Sequence, residues 1–232
     1  MTSSDRQLFK EELAQFSHFH KRLELSEQQL FEEKSWNVFS SKEFVAKGEL
    51  PEVSFRMRML ISSYVAQLTF GFDDLLLAQF NRFEIHTSPF ISEKLGTLVR
   101  GEASSSGVVR LSWLDIVEGH NDAKNGVNLV LHEFAHALLM DNVMKTGDHQ
   151  FIDAESYLAF MQLADEEMIH MQNDDSHFFR MYAATNIHEF FAVAVENFFE
   201  RPVDMENQLP HLFTGLSRLL KLNPCERLVR ID

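Results

Sequence analysis

Two histidines and a glutamate near the middle of the chain, His132, Glu133 and His136, form a His-Glu-x-x-His pattern. Residues four apart on a helix lie on one face, one turn apart, so the two imidazoles are spaced to bind a single metal ion. Glu133 would project beside them and can take a proton from a metal-bound water. Two nitrogen ligands with an open coordination position suit zinc better than calcium or magnesium, which prefer oxygen ligands.

The residues around this pattern favour a buried zinc site. Residues 126–140 are predicted to form one helix that is apolar on nearly all sides, as expected of a buried helix. Two imidazoles and a carboxylate are costly in such a helix unless they have partners. One Zn²⁺ per chain would satisfy all three side chains. The alternative is a cluster of core side chains that satisfy one another.

Composition limits the class of protein. The 232 residues are enough for a single domain, in which helices over about 1–70 pack on a catalytic core at about 80–224. A formal charge of −14 argues against nucleic acid or an anionic membrane as the partner. Cys225 is the one cysteine, which excludes an intramolecular disulfide and a thiolate zinc cluster. Since no secretory or membrane-spanning segment is evident, we expect a cytoplasmic location.

Hydrophobic periodicity predicts a mostly helical α+β fold with a small mixed or antiparallel sheet. Helices are predicted over residues 5–22, 26–31, 54–70, 126–140, 153–171, 187–200 and 205–222. Strands are predicted over residues 83–87, 97–100 and 108–113, with the Ser/Gly-rich stretch 101–107 as a hairpin connection, and turns at 146–148 and 173–176. The strand Val108–Ser112 is interpreted as a sheet edge that can pair with an extended peptide, with an ordinary core strand as the alternative.

A catalytic zinc site needs a third protein ligand, and the helix at 187–200 carries two acidic candidates. Glu189 and Glu196 are seven residues apart and so lie near one helix face. Asn186 followed three residues later by Glu189 also has the spacing of a helix-capping box. From the residues alone, both ligation and capping are open for Glu189.

Several segments resemble the Mlc titration factor A family of bacterial zinc peptidases, whose catalytic core is similar to that of anthrax lethal factor. These segments are residues 101–103, 109–113, 128–136, 182–185, 189–193 and 197–199. The resemblance extends from about residue 36 to residue 224, and it implies a zincin-like core. The chain departs from the family pattern over residues 137–141 and 142–149, which leaves the metal-ligand positions intact.

The resemblance implies that His132, His136 and Glu189 bind zinc and that Tyr182 lines the site. The implied activity is aminopeptidase-like peptide hydrolysis, with Glu133 as general base and Tyr182 donating a hydrogen bond in the transition state. Glu196 would then accept a hydrogen bond from the outer nitrogen of a ligand histidine.

Two other functions stay open beside the peptidase. One is a regulatory binding protein that sequesters a transcriptional repressor of sugar uptake, because the family's named member binds such a repressor. The other is a zinc hydrolase that acts on a bond other than a peptide. The presence of Glu133 favours an active enzyme, since a purely structural metal site would not need that carboxylate.

Overall fold

The computed structural model describes residues 2–73, 77–144, 151–172 and 176–227. The turn predicted at 146–148, most of the one at 173–176 and most of the segment 142–149 lie outside these ranges. The described chain is mostly helical with a small mixed sheet, which confirms the predicted α+β class. None of its helices has the length and apolar character needed to cross a bilayer.

Three helices and a short 3-10 turn form the N-terminal part of the chain. They are α1 (Ser3–Phe16), the 3-10 turn His20–Arg22, α2 (Leu25–Ser41) and α3 (Phe55–Leu68). The helix predicted to end at residue 31 continues to Ser41, because Phe31, Val38 and Phe39 recur at helical spacing and are buried where α2 packs on α3. Ser54, which was predicted as the first residue of this helix, is instead the cap of α3, and its side chain accepts a hydrogen bond from Met57 N.

The strands in the described part of the chain are β1 (Glu43–Lys47), β2 (Arg82–His86), β3 (Phe90–Ile91), β4 (Leu98–Val99), β5 (Gly101–Ser104) and β6 (Val108–Ser112). Four of them form the main sheet, in the order β1-β2-β6-β5. Strands β1, β2 and β6 run parallel, whereas β5 is antiparallel to β6. Strands β3 and β4 form a separate two-stranded hairpin.

The structure corrects two predictions about this sheet. Val108–Ser112 pairs with β2 on one side and with β5 on the other, so the predicted edge role of this strand is wrong. The stretch interpreted as a hairpin connection contains an edge strand, Gly101–Ser104, because glycine and serine do not prevent backbone pairing with β6. The turn itself is shorter and closes at Gly107, whose φ of 84° suits glycine.

The remaining helices complete the fold. They are α4 (Trp113–Asn121), α5 (Leu129–Met144), α6 (Ala154–Met171), the 3-10 segment Met181–Thr185, α7 (Ile187–Glu200), α8 (Pro202–Gln208), α9 (Pro210–Leu220) and α10 (Pro224–Arg227). Helix α7 has the predicted bounds. Helix α5 begins three residues later than predicted, because Gly126 adopts a φ of 73° and the Asn128 side chain accepts a hydrogen bond from Leu131 N. The helix predicted over 205–222 is divided at Leu209, before Pro210.

Helix α5 lies between the sheet and α7, in the middle of one continuous hydrophobic core. Phe134 on α5 packs edge-on against Phe83 on β2, with ring centroids 4.9 Å apart. Helices α3 and α7 contact other faces of α5, which explains why this helix is apolar almost all round. The same packing brings the polar residues of α5 and α7 together.

Candidate metal centre

Three predicted ligand side chains converge where α5 and α7 meet. His132 and His136 lie one turn apart on α5, and Glu189 lies in the first turn of α7. One donor atom from each residue lies within 4.8 Å of those from the other two. Glu189 Oε2 is 3.1 Å from His132 Nε2, and Glu189 Oε1 is 3.6 Å from His136 Nε2. The three groups can therefore hold one metal ion.

Asn186 supplies the cap of α7, which leaves the Glu189 carboxylate free for the histidines. The Asn186 side chain accepts hydrogen bonds from His188 N at 2.9 Å and from Glu189 N at 3.1 Å. The Glu189 carboxylate lies beside the two imidazoles of α5. The Asn186 side chain therefore pairs with backbone N–H groups of the first turn, and the Glu189 carboxylate faces the two histidines.

The contacts of Glu189 fit a metal ligand better than a hydrogen-bonded core residue. Its Oε2 is buried without a hydrogen bond, although it lies only 3.1 Å from His132 Nε2. The two atoms are close but not aligned as donor and acceptor. Two imidazole nitrogens and one carboxylate oxygen, with a cleft beside them, are the donor set of a catalytic zinc site.

Charge couples these groups strongly in the metal-free chain. Burial alone would lower the pKa of His132, but the Glu189 and Glu196 carboxylates on its two sides raise it to about 10. Burial raises the pKa of Glu189, but the two histidines outweigh burial and hold that pKa well below its usual range. A metal ion would replace the proton that His132 otherwise carries.

Glu196 lies behind His132, on the side away from Glu189. Only 1% of its side chain is exposed, and its Oε2 is 3.2 Å from His132 Nδ1. Its Oε1 accepts a hydrogen bond of 2.7 Å from the backbone N–H of Asn128. The structure therefore places Glu196 where a partner for the outer nitrogen of a ligand histidine is expected.

The Glu133 side chain, which belongs to α5, is buried against Gly101 of the edge strand β5. A Cβ atom added to Gly101 would lie 2.5 Å from Glu133 Oε1, so the close approach of the strand requires glycine at that position. Burial raises the pKa of Glu133 above its ordinary value, although His132 and His136 oppose this effect. A carboxylate with a raised pKa beside a metal site is suited to accept a proton and release it again.

Tyr182 lies near His132, on the 3-10 segment that precedes α7. Its side chain is half exposed, and its ring centroid is 6.0 Å from that of His132. Burial, together with the nearby Glu189 carboxylate, raises the pKa of Tyr182 to about 12. The phenol therefore keeps its proton at neutral pH and can donate a hydrogen bond.

A cleft of about 650 Å³ gives access to this centre. Tyr182, His132 and Glu133 contribute to its lining. Its apolar and charged walls are formed by Leu98, Val99, Val127, Leu129, Arg100, Asp115, Glu118 and Arg180. The candidate site therefore opens into a cleft whose volume lies in the usual range of ligand pockets, about 300–1,000 Å³.

Sequence reasoning missed Gly101 and Arg180. Gly101 was placed in a loop, although it begins the strand beside Glu133. Arg180 belongs to no recognised motif, yet its Nη2 donates to Glu196 Oε2 at 2.6 Å. Its proximity to Tyr182 in sequence was the one available signal, since its partners are 16 and 54 residues away.

Comparison with known proteins adds evidence independent of this geometry. Residues 3–221 match the family described as glucose-regulated metallo-peptidase M90. A protein from Serratia proteamaculans named Mlc titration factor A is 31% identical over 172 residues, which are 66% of this chain and 64% of that protein. A protein of the same name from Edwardsiella ictaluri is 25% identical over 211 residues, or 82% of this chain and 78% of that one.

A third relative is an uncharacterized protein of Synechocystis, 26% identical over 226 residues, which cover 89% of this chain and 80% of that protein. The family match spans the sheet, the His-Glu-x-x-His helix and the helix that carries Glu189. The matched residues, 3–221, are far more than half of the chain. The protein therefore belongs to the glucose-regulated metallo-peptidase M90 family.

Proposed function

We propose that the chain is a zinc-dependent peptidase with a zincin-like core, in which His132, His136 and Glu189 hold one zinc ion. The observation that carries this proposal is the convergence of these three donors near the buried Glu133, with His132 and Glu133 lining a cleft. When bound, zinc would polarise a carbonyl group and lower the pKa of a coordinated water. The chain's own residues supply the rest of the chemistry.

Glu133 acts as the general base. Its carboxylate takes a proton from the attacking water and transfers it to the leaving amine. Its raised pKa brings the group closer to the pH at which a base both accepts and returns a proton efficiently. Gly101 keeps strand β5 close enough to fix this carboxylate against the cleft.

Tyr182 stabilises the negative charge that develops during the reaction. Its hydroxyl donates a hydrogen bond to the developing oxyanion or to the leaving group. The pKa of about 12 supports this role, because a tyrosinate could not donate. Its half-exposed position at the cleft lets the phenol reach a bound substrate.

The edge strand β5 holds the substrate. Gly101–Ser104 pairs with β6 along one side only, so its other side has backbone groups that can pair with an extended peptide. Leu98 and Val127 offer exposed apolar surface in the same cleft, and Glu118 offers an exposed carboxylate. An aminopeptidase-like preference fits the carboxylate, which can pair with a free amino terminus.

The test combines metal content with activity on purified full-length protein. We expect about one zinc per chain and faster hydrolysis of peptides with free amino termini than of their N-acetylated counterparts. Well under half an equivalent of any transition metal, in protein prepared without chelator, would contradict the metal centre. Equal hydrolysis of both peptide classes would contradict only the aminopeptidase preference.

A second candidate function is repressor binding in the cytoplasm, with hydrolysis secondary. The name Mlc titration factor A, carried by the Serratia and Edwardsiella relatives, supports it. If the chain sequesters a transcriptional repressor of sugar uptake, the Glu133→Gln variant should bind that repressor as tightly as the wild type does. Zinc binding without turnover on any peptide of the panel would favour this function over the peptidase.

A further inference from the structure

Arg180 connects three parts of the candidate site. Its Nη2 donates to Glu196 Oε2 at 2.6 Å, and its Nη1 donates to the backbone oxygen of Gly126 at 2.7 Å. Its guanidinium carbon lies 5.8 Å from the ring centroid of Tyr182. A single side chain therefore contacts the buried carboxylate behind His132 and the turn before α5, and it lies beside the tyrosine of the cleft.

The contact with Glu196 fixes the oxygen that faces His132. Glu196 Oε1 is held by Asn128 N at 2.7 Å, and Oε2 is shared between Arg180 Nη2 and His132 Nδ1. With both oxygens held, the carboxylate cannot rotate away from the imidazole. The orientation of the His132 ring, and hence of its Nε2, depends on this arrangement.

The contact with Gly126 fixes the start of the metal-binding helix. Gly126 has a φ of 73°, and its N–H donates to Glu200 Oε2 at 3.0 Å while its carbonyl accepts from Arg180. Two residues later, the N–H of Asn128 reaches Glu196. Arg180 therefore bridges Gly126, in the turn before α5, and Glu196, on α7. The hydrogen bond from Asn128 N to Glu196 joins the same two parts of the chain.

We propose that Arg180 is a positioning residue for the metal centre, which acts through Glu196 to orient His132 and through Gly126 to hold the start of α5. This inference rests on the proposed metal centre and goes beyond the ligands and the base. Arginine suits the position because its planar guanidinium presents two N–H groups to two acceptors at once, whereas a lysine ammonium is a compact point charge on a flexible stem.

The experiment measures zinc affinity by competition with a chelator, on purified full-length protein. We expect Arg180→Met to weaken zinc binding about 10–100-fold, the usual effect of losing an outer-shell partner. Arg180→Lys should fall between this variant and the wild type. The cobalt-substituted Arg180→Met protein should also show altered visible absorption, because the His132 ligand is reoriented.

Arg201 provides the matched control. Its side chain is similarly buried, at 26% exposed against 33% for Arg180, and it borders the neighbouring cavity. It pairs with Asp204 at 3.4 Å and lies over the ring of Phe178, away from Glu196. Arg201→Met should therefore leave zinc affinity and the cobalt spectrum unchanged.

A double variant separates positioning from a general loss of stability. Arg180→Met leaves the buried Glu196 carboxylate without its cation, so this variant can fail to fold. The double variant Arg180→Met/Glu196→Gln removes both charges and is the one to use in that case. If Arg180 acts through Glu196, the double variant should lose no more zinc affinity than the worse single variant.

Two results would overturn the inference alone, and both are distinguishable from failure of the metal centre itself. Wild-type zinc affinity in folded Arg180→Met, or in the double variant, would show that Arg180 does not position the site. Additive losses in the double variant would show that Arg180 does not act through Glu196. Absence of zinc binding in the wild type would remove the proposed metal centre and this inference together.

Discussion

Two groups of charged side chains in this molecule differ in how their hydrogen-bonding atoms are satisfied. The sheet cluster consists of Glu84 with Lys47, Arg82 and Arg110 on the main sheet. Glu84 Oε1 lies 3.1 Å from Lys47 Nζ and 3.0 Å from Arg82 Nε, and its Oε2 lies 3.0 Å from Arg110 Nε. Both oxygens of this nearly buried carboxylate therefore have cationic partners.

The site cluster, formed by His132, His136, Glu189 and Glu133, is arranged differently. Glu189 Oε2 is buried and lacks a hydrogen bond, and burial raises the pKa of Glu133 although the neighbouring histidines oppose this effect. A network that satisfies its own atoms is suited to support the fold. Groups that converge without satisfying one another are instead suited to hold something else. The comparison predicts opposite effects of mutation in the two clusters.

The largest expected effect is on hydrolysis, from Glu133→Gln in the site cluster. The amide has nearly the same shape but cannot accept the proton of the attacking water. We expect turnover to fall about a thousandfold, within the range for loss of a general base. Zinc content and unfolding midpoint should stay at wild-type values. Unchanged turnover would show that Glu133 is not the base.

Zinc binding itself should distinguish Glu189 from Glu196 on α7. Glu189→Ala should nearly abolish zinc retention, because it removes one of the three proposed ligands. Glu196→Ala should weaken zinc binding about 10–100-fold, because it removes the partner of His132 Nδ1. Zinc titration of the two variants, each checked for folding by circular dichroism, measures the difference. Retained zinc in Glu189→Ala with complete loss in Glu196→Ala would exchange their roles.

A substitution in the sheet cluster should lower stability without changing zinc binding. Glu84→Gln should lower the free energy of unfolding by about 1–2 kcal/mol, since the charges are only partly shielded from solvent. Zinc affinity and turnover should not change. Denaturant unfolding, paired with zinc titration, tests this prediction. Lost zinc affinity without lost stability would mean that the two clusters are not functionally distinct.

The same cluster carries a pH dependence with a defined sign. Burial tends to raise the pKa of Glu84, but hydrogen bonds from Lys47, Arg82 and Arg110 lower it overall. A carboxyl group whose pKa falls on folding stabilises the folded state above its ordinary pKa, and this contribution is lost as pH falls through the folded value. The difference in stability between Glu84→Gln and wild type should therefore shrink below about pH 4.

Local sequence signals predicted the elements that carry the site. Helix α7 begins after a capping asparagine, Asn186, and ends before Pro202, so its bounds follow from its own residues. The pairing of His132 with His136 on one face follows from helical spacing alone. By contrast, the capping-box spacing left Glu189 ambiguous, because only the packing of α7 on α5 decides where its carboxylate lies.

The sheet could not be predicted equally well, because strand pairing depends on residues far apart in sequence. Nothing within Val108–Ser112 indicates that it pairs on both sides. Gly101–Ser104 has poor strand propensity and is held by its partner β6. Strand β1, which was not predicted, follows a helix directly and pairs with a strand almost forty residues later. The role of Arg180 could not be predicted for the same reason, since its hydrogen-bond partners lie on α7 and in the turn before α5.

Glu200 resembles Glu84 of the sheet cluster because both of its oxygens have partners, and it resembles Glu133 of the site cluster because its pKa is raised. Its substitution gives the smallest predicted effect. Its Oε2 accepts from Gly126 N, and its Oε1 accepts from Asn128 Nδ2, both at 3.0 Å. Unlike Glu84, it is held here by neutral donors. Burial, with the neighbouring Glu196 carboxylate adding to it, raises its pKa to about 7.

The sign of the resulting pH dependence is opposite to that of Glu84. A carboxyl group whose pKa rises on folding makes its full contribution below its unfolded pKa, near 4.5, and loses it as pH rises through about 7. Wild-type stability should therefore decline between pH 5 and pH 8 by an amount that Glu200→Gln removes. Denaturant unfolding of chelator-treated protein at several pH values measures this, and Glu206→Gln, on the exposed surface of α8, is the control. Parallel stability curves for wild type and Glu200→Gln would mean that this carboxyl titrates alike in both states. The hydrogen bonds from Glu200 to the turn before α5 would then stabilise that turn equally at every pH.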